Sequence, residues 1–582
     1  MNITSLYRRR LSKEKGSIKK KKRGRLSVAL IYPNIYHVGM SNLGFQVVYK
    51  LLNEDDNIVA ERFFLPTEYE FSYYKSAGLA LCSLESQIPL NKFDIIAFSL
   101  SFENDYINIL KILELGDIPL LSEDRYNLYP IVIAGGIATF LNPEPISPFI
   151  DMFIMGEAEV NLNKIMNLFI ENMNKFSQKK DLLLFLAKNQ PNIYVPSFYN
   201  VEYKKDGTIS SFYPKENGIN DKILVPKKIP LNTIAYSKII SLETEFSNRR
   251  LIEIARGCGR SCRFCAAGYV YRPPRYHKSN DIIDIINTTL KETNYIGLLS
   301  ASISDVPEIK NILKFINEEG GNFSISSVRA DTISEEFLDY IKRTGQRRVT
   351  IAPEAGSERL RKVINKHMSK ENILRAVSLI AKEELSIKLY FMIGLPTEQW
   401  EDIEGILKLS KLIRHCMVKE GAPKGKVGDI RLNISCFVPK PFTPFQWHPM
   451  DSIENLKKKQ KWLLKTIKKE GGIRISFDVP KWAYIQTLLS LGDRRVASIL
   501  LLVHKSSGNW NRAFKYSEVN PNFFVYRKRD TSEILPWDFI EHYIHKDYLR
   551  KEYTKALSAI ESEICYSTTK CKKCGVCASL SL

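Results

Sequence analysis

The sequence has no long hydrophobic run, no hydrophobic signal core and no internal repeat or low-complexity segment. No apolar stretch approaches the roughly 18 to 20 residues that span a bilayer, and the first residues are polar and basic. These absences predict a cytoplasmic protein without a membrane partner. Histidines are also few: the eight form no HxxxH pair, the spacing at which two histidines on one helix face bind zinc.

The composition is typical of a large globular protein. Hydrophobic residues make up 44% and charged residues 26% of the 582 positions, which predicts several folded units and excludes a disordered or fibrous chain. The ten cysteines do not suggest a disulfide framework, because six of them fall in two tight groups. Clustered thiols in a reducing compartment indicate metal binding.

The net charge of +21 is concentrated at the start of the chain. Residues 1–25 hold eleven Lys and Arg residues against one acid, Glu14. We predict a basic tail over this range. The run from Lys19 to Arg23 is compatible with RNA as a partner through phosphate contacts, and equally with a solvated, disordered arm. No aromatic residue interleaves the run, and no known RNA-binding signature follows it.

Residues 26–200 alternate short apolar runs with helix-length amphipathic stretches, the pattern of an α/β doubly wound parallel sheet. In such sheets ligands bind beyond the carboxyl ends of the strands. Small residues stand at these exits, which allows a bulky cofactor to approach the backbone. The predicted strands cover residues 27–32, 58–64, 94–100, 131–134 and 152–155, and the exits include Ser99, Ser101, Gly135, Gly136 and Gly156.

The remaining chain divides into four predicted parts. Residues 201–247 form a linker or small β-element, with a hairpin turn at Asp206-Gly207. Residues 248–476 contain six strand patterns separated by amphipathic helices, which predicts a partial or full (β/α) barrel with its chemistry at the strand carboxyl ends. Residues 477–560 form a helical and irregular C-terminal region, and residues 561–582 a cysteine-rich tail.

The first cysteine group follows the first barrel strand. Cys258, Cys262 and Cys265 have CxxxCxxC spacing on a glycine-containing loop. Three thiolates hold three irons of a [4Fe–4S] cluster and leave the fourth iron open. Arg256, Arg260 and Arg263 are expected to favour thiolate formation and to offset the cluster charge; the alternatives are a zinc site completed by a residue such as His277, or three structural thiols.

This loop resembles the signature of the radical SAM superfamily, CxxxCx(aromatic)C, with Phe264 in the aromatic position. The resemblance implies a (β/α) barrel, S-adenosylmethionine (SAM) on the open iron, and an electron donor such as flavodoxin or ferredoxin. One electron from the cluster then cleaves SAM into methionine and a 5′-deoxyadenosyl radical. That radical abstracts hydrogen from a substrate that the sequence does not identify.

Further cofactor-binding positions follow from the same resemblance. The stretch with Ser300 and Ser302 stands where the family binds the methionyl amine, and Arg329 could pair with the SAM carboxylate. Glu354 belongs to a stretch similar to the one that approaches the ribose. Gly394 and Glu398 lie in a GxPxE-like motif on the adenine side.

The N-terminal sheet resembles the Rossmann-like, B12-binding-type domain that precedes the barrel in one radical SAM subgroup. The cobalamin motif DxHxxG is absent, and His37 has the wrong spacing for a cobalt ligand. Cobalamin therefore stays an open alternative. Nearly the whole chain resembles an uncharacterised family of B12-binding-domain radical SAM proteins; the stretches that carry this resemblance are 38–44, 352–356, 437–447, 492–495 and 574–577.

The second cysteine group is near the end of the sequence. Cys571, Cys574 and Cys577 are spaced CxxCxxC, and Cys565 lies six residues upstream as a fourth ligand. Four thiols suit an auxiliary iron–sulfur cluster or a structural zinc ion.

The leading hypothesis is a radical SAM enzyme, with cobalamin-assisted methyl transfer if a corrinoid is bound. One alternative is a methylthiotransferase-like RNA-modifying enzyme, although the N-terminal domain of such enzymes normally supplies three cluster cysteines and this one has only Cys82. The other alternative is a non-catalytic, metal-stabilised RNA-binding protein.

Overall fold

The first part of the chain folds into a doubly wound sheet, which confirms the predicted α/β class. The computed structural model describes residues 2–22, 24–565 and 571–580. Across the sheet the strand order is β2-β1-β3-β4-β5-β6; β1 to β5 are parallel and β6 pairs antiparallel with β5. The strands are β1 (Leu26–Tyr32), β2 (Ile58–Phe64), β3 (Ile95–Ser99), β4 (Ile131–Gly135), β5 (Met152–Ile154) and β6 (Ile193–Tyr194).

Helices cover both faces of this sheet, which explains why every residue of β1 and β2 is buried. Asn42 caps the helix that follows β1, because its side chain accepts a hydrogen bond from the Phe45 N–H. The main helices of this part are Leu43–Glu54, Glu68–Ala77, Tyr106–Leu115, Ala158–Asn172 and Lys179–Asn189.

The basic N-terminal segment is part of the fold, so its interpretation as a solvated arm is wrong. A helix at Ile3–Ser12 buries Ile3 and Tyr7, and Glu14–Lys15 pairs antiparallel with Ile240–Ser241. The basic run lies on the sheet: Lys20 Nζ donates to the Asp55 carbonyl at 2.7 Å. Met1 and Arg23 lie outside the described residues.

A buried ion pair fixes this segment. The Arg62 guanidinium donates to both Glu14 carboxylate oxygens at 2.8 and 2.7 Å and to Glu85 at 2.6 Å. The side chains of Arg62 and Glu14 are both 0% exposed. Removing one partner of a buried pair leaves a desolvated charge that burial strongly disfavours.

Glu14→Ala is therefore expected to destabilise the protein by about 3 kcal/mol. Urea unfolding followed by circular dichroism measures this change. Glu54→Ala is the matched control, since the Glu54 side chain is 53% exposed in its pair with Lys50 and its loss should cost about 0.5 kcal/mol or less. Equal stability of the Glu14 variant and the wild type would contradict the anchoring role.

The predicted hairpin joins the two halves of the chain. β7 (Tyr199–Tyr203) and β8 (Ile209–Pro214) pair antiparallel around the turn at Asp206-Gly207, where the Asp206 carboxylate accepts the Thr208 N–H at 2.9 Å. Residues 235–237 then pair with the edge of the first barrel strand.

The barrel has one more strand than the sequence predicts. The seventh strand, β15, is not among the six predicted strand patterns; its backbone pairs in parallel with β14 and extends the sheet. A parallel bridge between Val328 and Ile351 joins the two groups of strands, so the described strands form a partial barrel in chain order. They are β9 (Arg250–Glu253), β10 (Tyr295–Leu299), β11 (Asn322–Ser324), β12 (Arg348–Glu354), β13 (Ser386–Ile393), β14 (Ile430–Cys436) and β15 (Ile473–Phe477).

Helices pack outside the barrel and continue into the C-terminal region. Alternate residues of β12, β13 and β14 are buried, as the alternating side-chain directions of a strand require. Among the described residues, none of the helices is both long and apolar enough to cross a membrane. The main helices are Ser279–Leu290, Ile309–Glu318, Glu335–Arg343, Lys370–Lys382, Trp400–Gly421, Ile453–Ile467, Pro480–Leu491, Val496–Lys505, Trp510–Tyr516 and Lys546–Leu557.

Candidate active site

The first cysteine group lies on a loop that follows β9 and a short strand at Ala255–Arg256. Gly257 has φ +81°, and a Cβ there would lie 2.4 Å from the Tyr271 carbonyl oxygen, so only glycine fits the turn. The Cys265 N–H donates to the Cys262 carbonyl at 3.1 Å. Burial, and then the neighbouring thiolates of Cys262 and Cys258, raises the pKa of Cys265 to about 12.

The three arginines of the loop are each paired with carboxylates. Burial raises the pKa of Cys258, while the backbone N–H and the positive charge of Arg260 act in the opposite direction, as expected for a neighbouring arginine. Arg256 binds Glu157, Glu159 and Glu253; Arg260 binds Asp305 and Asp331; and Arg263 binds Glu552.

The zinc alternative for this loop needs a fourth ligand such as His277. Within residues 2–22, 24–565 and 571–580, no three or more His, Cys, Asp or Glu side chains are grouped to hold a metal ion. His277 is buried, and burial lowers its pKa to about 4.

A cavity of about 560 Å³ lies where the first sheet faces the barrel. The carboxyl ends of β3, β4 and β5 form one side of it, as expected from the small residues at those exits. The ends of β9 and β10 form the other side. Its polar and small lining residues include Ser99, Ser101, Gly135, Gly136, Gly156, Glu157, Glu159, Glu253, Arg256, Gly257, Ser300 and Ser326.

Salt bridges across the junction close one wall of the cavity. Arg256 of the barrel reaches Glu157 of the first sheet at 2.9 Å and Glu159 at 2.6 Å, and Arg275 binds Glu157 at 2.7 Å. These two arginines hold the pKa of the Glu157 carboxyl below its usual range against the effect of burial, which raises it. This network is not predictable from the sequence, since Glu157 precedes Arg256 by 99 residues.

Of the two serines predicted to bind SAM, only Ser300 belongs to the described cavity lining. Ser300 lines the cavity, and its hydroxyl accepts the Ser302 N–H at 3.2 Å. Ser302 is not part of the described cavity lining. Asp305, three residues after Ser302, is held by Arg260.

Arg329 and Glu354 lie in a charged group beside the cysteine loop. Arg329 donates to Asp331 at 2.9 Å and to the His367 carbonyl at 2.9 Å. Lys366, which the sequence did not single out, binds Glu354 at 3.2 Å. Burial opposes the charge of Lys366, yet Glu354 and the thiolate of Cys262 raise the pKa of Lys366. A buried cation therefore lies beside Cys262.

The last predicted residues make structural contacts. The Glu398 carboxylate accepts the Gly394 N–H at 2.9 and 3.0 Å and pairs with Lys459 at 2.5 Å. Phe264 packs against the core. Neither these residues nor Arg329 and Glu354 line the cavity in the described part of the chain.

His37 lies away from the cavity. It is exposed, and its Nδ1 lies 3.2 Å from the Glu243 carbonyl oxygen. The described cavity lining contains no imidazole and no thiol. A corrinoid in this cavity would therefore receive no protein ligand on cobalt from the lining.

Comparison with known families matches both halves of this arrangement. Residues 252–410 match the radical SAM superfamily, and residues 44–196 match the N-terminal region of radical SAM proteins. The chain belongs to the radical SAM superfamily. An uncharacterized protein of Methanocaldococcus jannaschii is 30% identical to this radical SAM protein over 81% of this chain and 90% of its own length.

Two characterised relatives match a smaller part of this radical SAM protein. The anaerobic magnesium-protoporphyrin IX monomethyl ester cyclase of Rubrivivax gelatinosus is 22% identical over 48% of this chain and 49% of its own length. The ribosomal protein uS12 methylthiotransferase of Thermosipho africanus is 27% identical over 33% and 50%. The chain thus spans about half the length of either enzyme.

Two solved radical SAM structures also resemble this one. The cobalamin-dependent SAM radical enzyme OxsB, with aqua-cobalamin and SAM bound, has a TM-score of 0.45 at 14% identity and covers 83% of this chain and 71% of its own. The methyltransferase TsrM of Kitasatospora setae has a TM-score of 0.44 at 12% identity, over 70% and 72%.

Membership in this superfamily identifies the chain as a radical SAM enzyme, for which the family implies a [4Fe–4S] cluster and SAM. The non-catalytic alternative is therefore wrong.

Proposed function

We propose that Cys258, Cys262 and Cys265 hold the [4Fe–4S] cluster of this enzyme and that its substrate or a second cofactor occupies the adjoining cavity. The observation that carries this proposal is the position of the loop. Gly257 and Ala267 flank the three cysteines and both line the cavity. When bound, the cluster supplies one electron that cleaves SAM to methionine and a 5′-deoxyadenosyl radical.

The residues of the chain prepare the site for this chemistry. Lys366 places a buried positive charge beside Cys262, which offsets part of the negative charge that the cluster and its thiolates bring. The wall of the cavity is largely apolar where Leu30, Phe98, Ile133 and Phe140 line it. Such a wall excludes water, so a reactive species meets the bound substrate instead of solvent.

Cobalamin-assisted methyl transfer is the finer proposal. It is supported by the position of the cavity at the carboxyl ends of β3, β4 and β5, where sheets of this kind bind their ligands. Glycine and serine at these ends leave the backbone open to a large planar group. Among the described lining residues, Ser99, Ser101, Gly135, Gly136 and Gly156 would contact such a group.

The methylthiotransferase alternative has weaker support. Cys82 is the one cysteine of the first sheet domain, and its Sγ lies 3.1 Å from the Tyr74 hydroxyl rather than on the cavity. The N-terminal part therefore offers no thiol set for a second cluster. RNA as a substrate is supported only by the similarity to the methylthiotransferase.

An assay on the anaerobically reconstituted protein tests the proposed function. Dithionite and SAM are expected to yield 5′-deoxyadenosine and methionine, and elemental analysis to give about four irons per chain for each cluster. Cobalt retained after gel filtration with cobalamin would support methyl transfer. Bound zinc without iron, or no nucleoside product from iron-loaded protein, would overturn the proposal.

A further inference from the structure

The inner face of the second half of the barrel is polar and open to solvent. In β12, β13 and β14 every residue between two buried ones is partly exposed, and β15 alternates between partly buried and exposed residues. The buried set packs into the hydrophobic core with the outer helices. Because successive side chains of a strand point to opposite faces, the polar set lines the concave side. We call this face the barrel groove; it includes Arg348, Thr350, Lys388, Tyr390, Arg431, Asn433, Arg474 and Ser476.

Four cations lie together at the amino-terminal end of the barrel groove. Lys388 pairs in register with Arg431, and Arg431 with Arg474. Register partners on neighbouring parallel strands lie about 4.8 Å apart and point to the same face. Thr350 is the register partner of Lys388 on β12, and Arg348 lies two residues before it on the same face. Three neighbouring strands and β12 thus bring four positive side chains to one end of the groove.

These cations have too few acidic partners in the described chain. Asp429, 3.9 Å from the Arg474 guanidinium, is the one carboxylate there that lies within ion-pair distance of any of them. The Nε atoms of Arg348 and Arg431 are buried and have no hydrogen-bond partner among the described residues. Burial, and then the charge of Arg431, lowers the pKa of Arg348, while Asp429 acts in the opposite direction. Like charges this close destabilise a fold, so the row is suited to an added anion.

The barrel groove leads from the four cations towards the cysteine loop. The Glu354 carboxylate, at the carboxyl end of β12, binds Lys366 beside Cys262. Glu354 lies four residues beyond Thr350, or about 13 Å along a strand. Polar residues fill the row between the two ends, and this row consists of Tyr390, Asn433 and Ser476 in register. The distance between the cations and the loop therefore matches the length of a small organic molecule.

We propose that the barrel groove binds the substrate of this enzyme through an anionic group, a carboxylate or a phosphate, held by Arg348, Lys388, Arg431 and Arg474. Guanidinium groups recognise both anions through paired N–H donors. The anion lies at the amino-terminal end of the groove and the reacting carbon near the cysteine loop, so binding of the remote group positions that carbon. The inference rests on the proposed function, since it takes this loop as the site of radical formation. The adjoining cavity is then left for a second cofactor.

Equilibrium dialysis of the full-length, anaerobically reconstituted protein tests the inference, with radiolabelled inorganic phosphate and succinate as probes at constant ionic strength. Arg431→Gln removes the central cation and is expected to weaken binding of the preferred probe about tenfold or more. Arg431→Lys keeps the charge and should weaken it less. Arg343→Ala is the matched control and should bind as the wild type does, because Arg343 is 63% exposed on an outer helix. The probe that binds more tightly identifies the anionic group.

Urea unfolding of Arg431→Gln separates a binding role from a structural one. Removal of one of several like charges is expected to leave the unfolding midpoint unchanged or to raise it. Lost binding together with a lowered midpoint would show that Arg431 supports the fold instead, and the proposal would then be wrong. Wild-type binding by Arg431→Gln, or no saturable binding of either probe by the wild type, would also refute it. So would an RNA oligonucleotide that binds through Arg431 when neither small anion does.

The dialysis needs neither reduction nor SAM, so the two proposals fail separately. Protein that binds a probe through Arg431 but forms no 5′-deoxyadenosine refutes the proposed function and keeps the anion site. Protein that forms the nucleoside but binds neither probe keeps the proposed function and refutes the anion site.

Discussion

Replacement of Cys262 by alanine is expected to lower 5′-deoxyadenosine formation more than about a hundredfold, because two thiolates cannot hold three irons of a cube with one open position. Cys262 is the middle cysteine of the loop. The variant therefore loses one proposed iron ligand, while the buried Lys366 keeps its salt bridge with Glu354.

Product analysis by liquid chromatography measures this effect on protein reduced with dithionite in the presence of SAM. Cys436→Ala is the control for a lost thiol, since Cys436 is 7% exposed in β14 and belongs to neither cysteine group. Nucleoside formation at the wild-type rate by Cys262→Ala would show that the cluster is held elsewhere.

Arg256→Ala is expected to lower the free energy of unfolding by about 3 to 5 kcal/mol. The side chain is 12% exposed and pairs with Glu157, Glu159 and Glu253. Its removal leaves three carboxylates close together at the junction between the first sheet and the barrel. Their repulsion, at low solvent exposure, should open the cavity wall as well as destabilise the fold.

Urea unfolding and limited proteolysis of the junction at residues 226–250 report the two consequences separately. Arg343→Ala is the matched control, because Arg343 pairs with Asp339 at 63% and 49% exposure, where a pair contributes about 0.3 to 0.5 kcal/mol. A change in Arg256→Ala no larger than in this control would show that the junction does not depend on the network.

The sequence predicts the parallel strands of both sheets because each is a short apolar run between helix-length amphipathic stretches. β15 does not show this pattern and is not predicted. Its residues Ile473–Phe477 alternate between exposed and partly buried, as befits the edge of a partial barrel, and they follow a lysine-rich helix. The folding of the N-terminal segment is not predicted for another reason: Glu14 is held by Arg62, which lies 48 residues away in the sequence.

The same limit applies to the site. The cysteine positions are readable from spacing alone, since a cluster needs its thiols close together along a loop. The roles of the arginines are not readable, because their partners come from other elements: Glu552 lies 289 residues from Arg263. Glu398 shows that a motif position can be predicted while its contacts cannot. The position of Glu398 in the sequence matches the family motif, but its partner Lys459 lies on a helix 61 residues later.

The distance along the chain between Arg263 and Ile560 also sets an order of events during synthesis. These partners are 297 residues apart, and a ribosome that adds roughly 5 to 20 residues per second needs about 15 to 60 seconds to cover that span. The nascent barrel loop therefore stays uncovered for this interval. If the three thiols of the loop hold the proposed cluster, iron can reach them during this interval, before the newly made tail covers the loop.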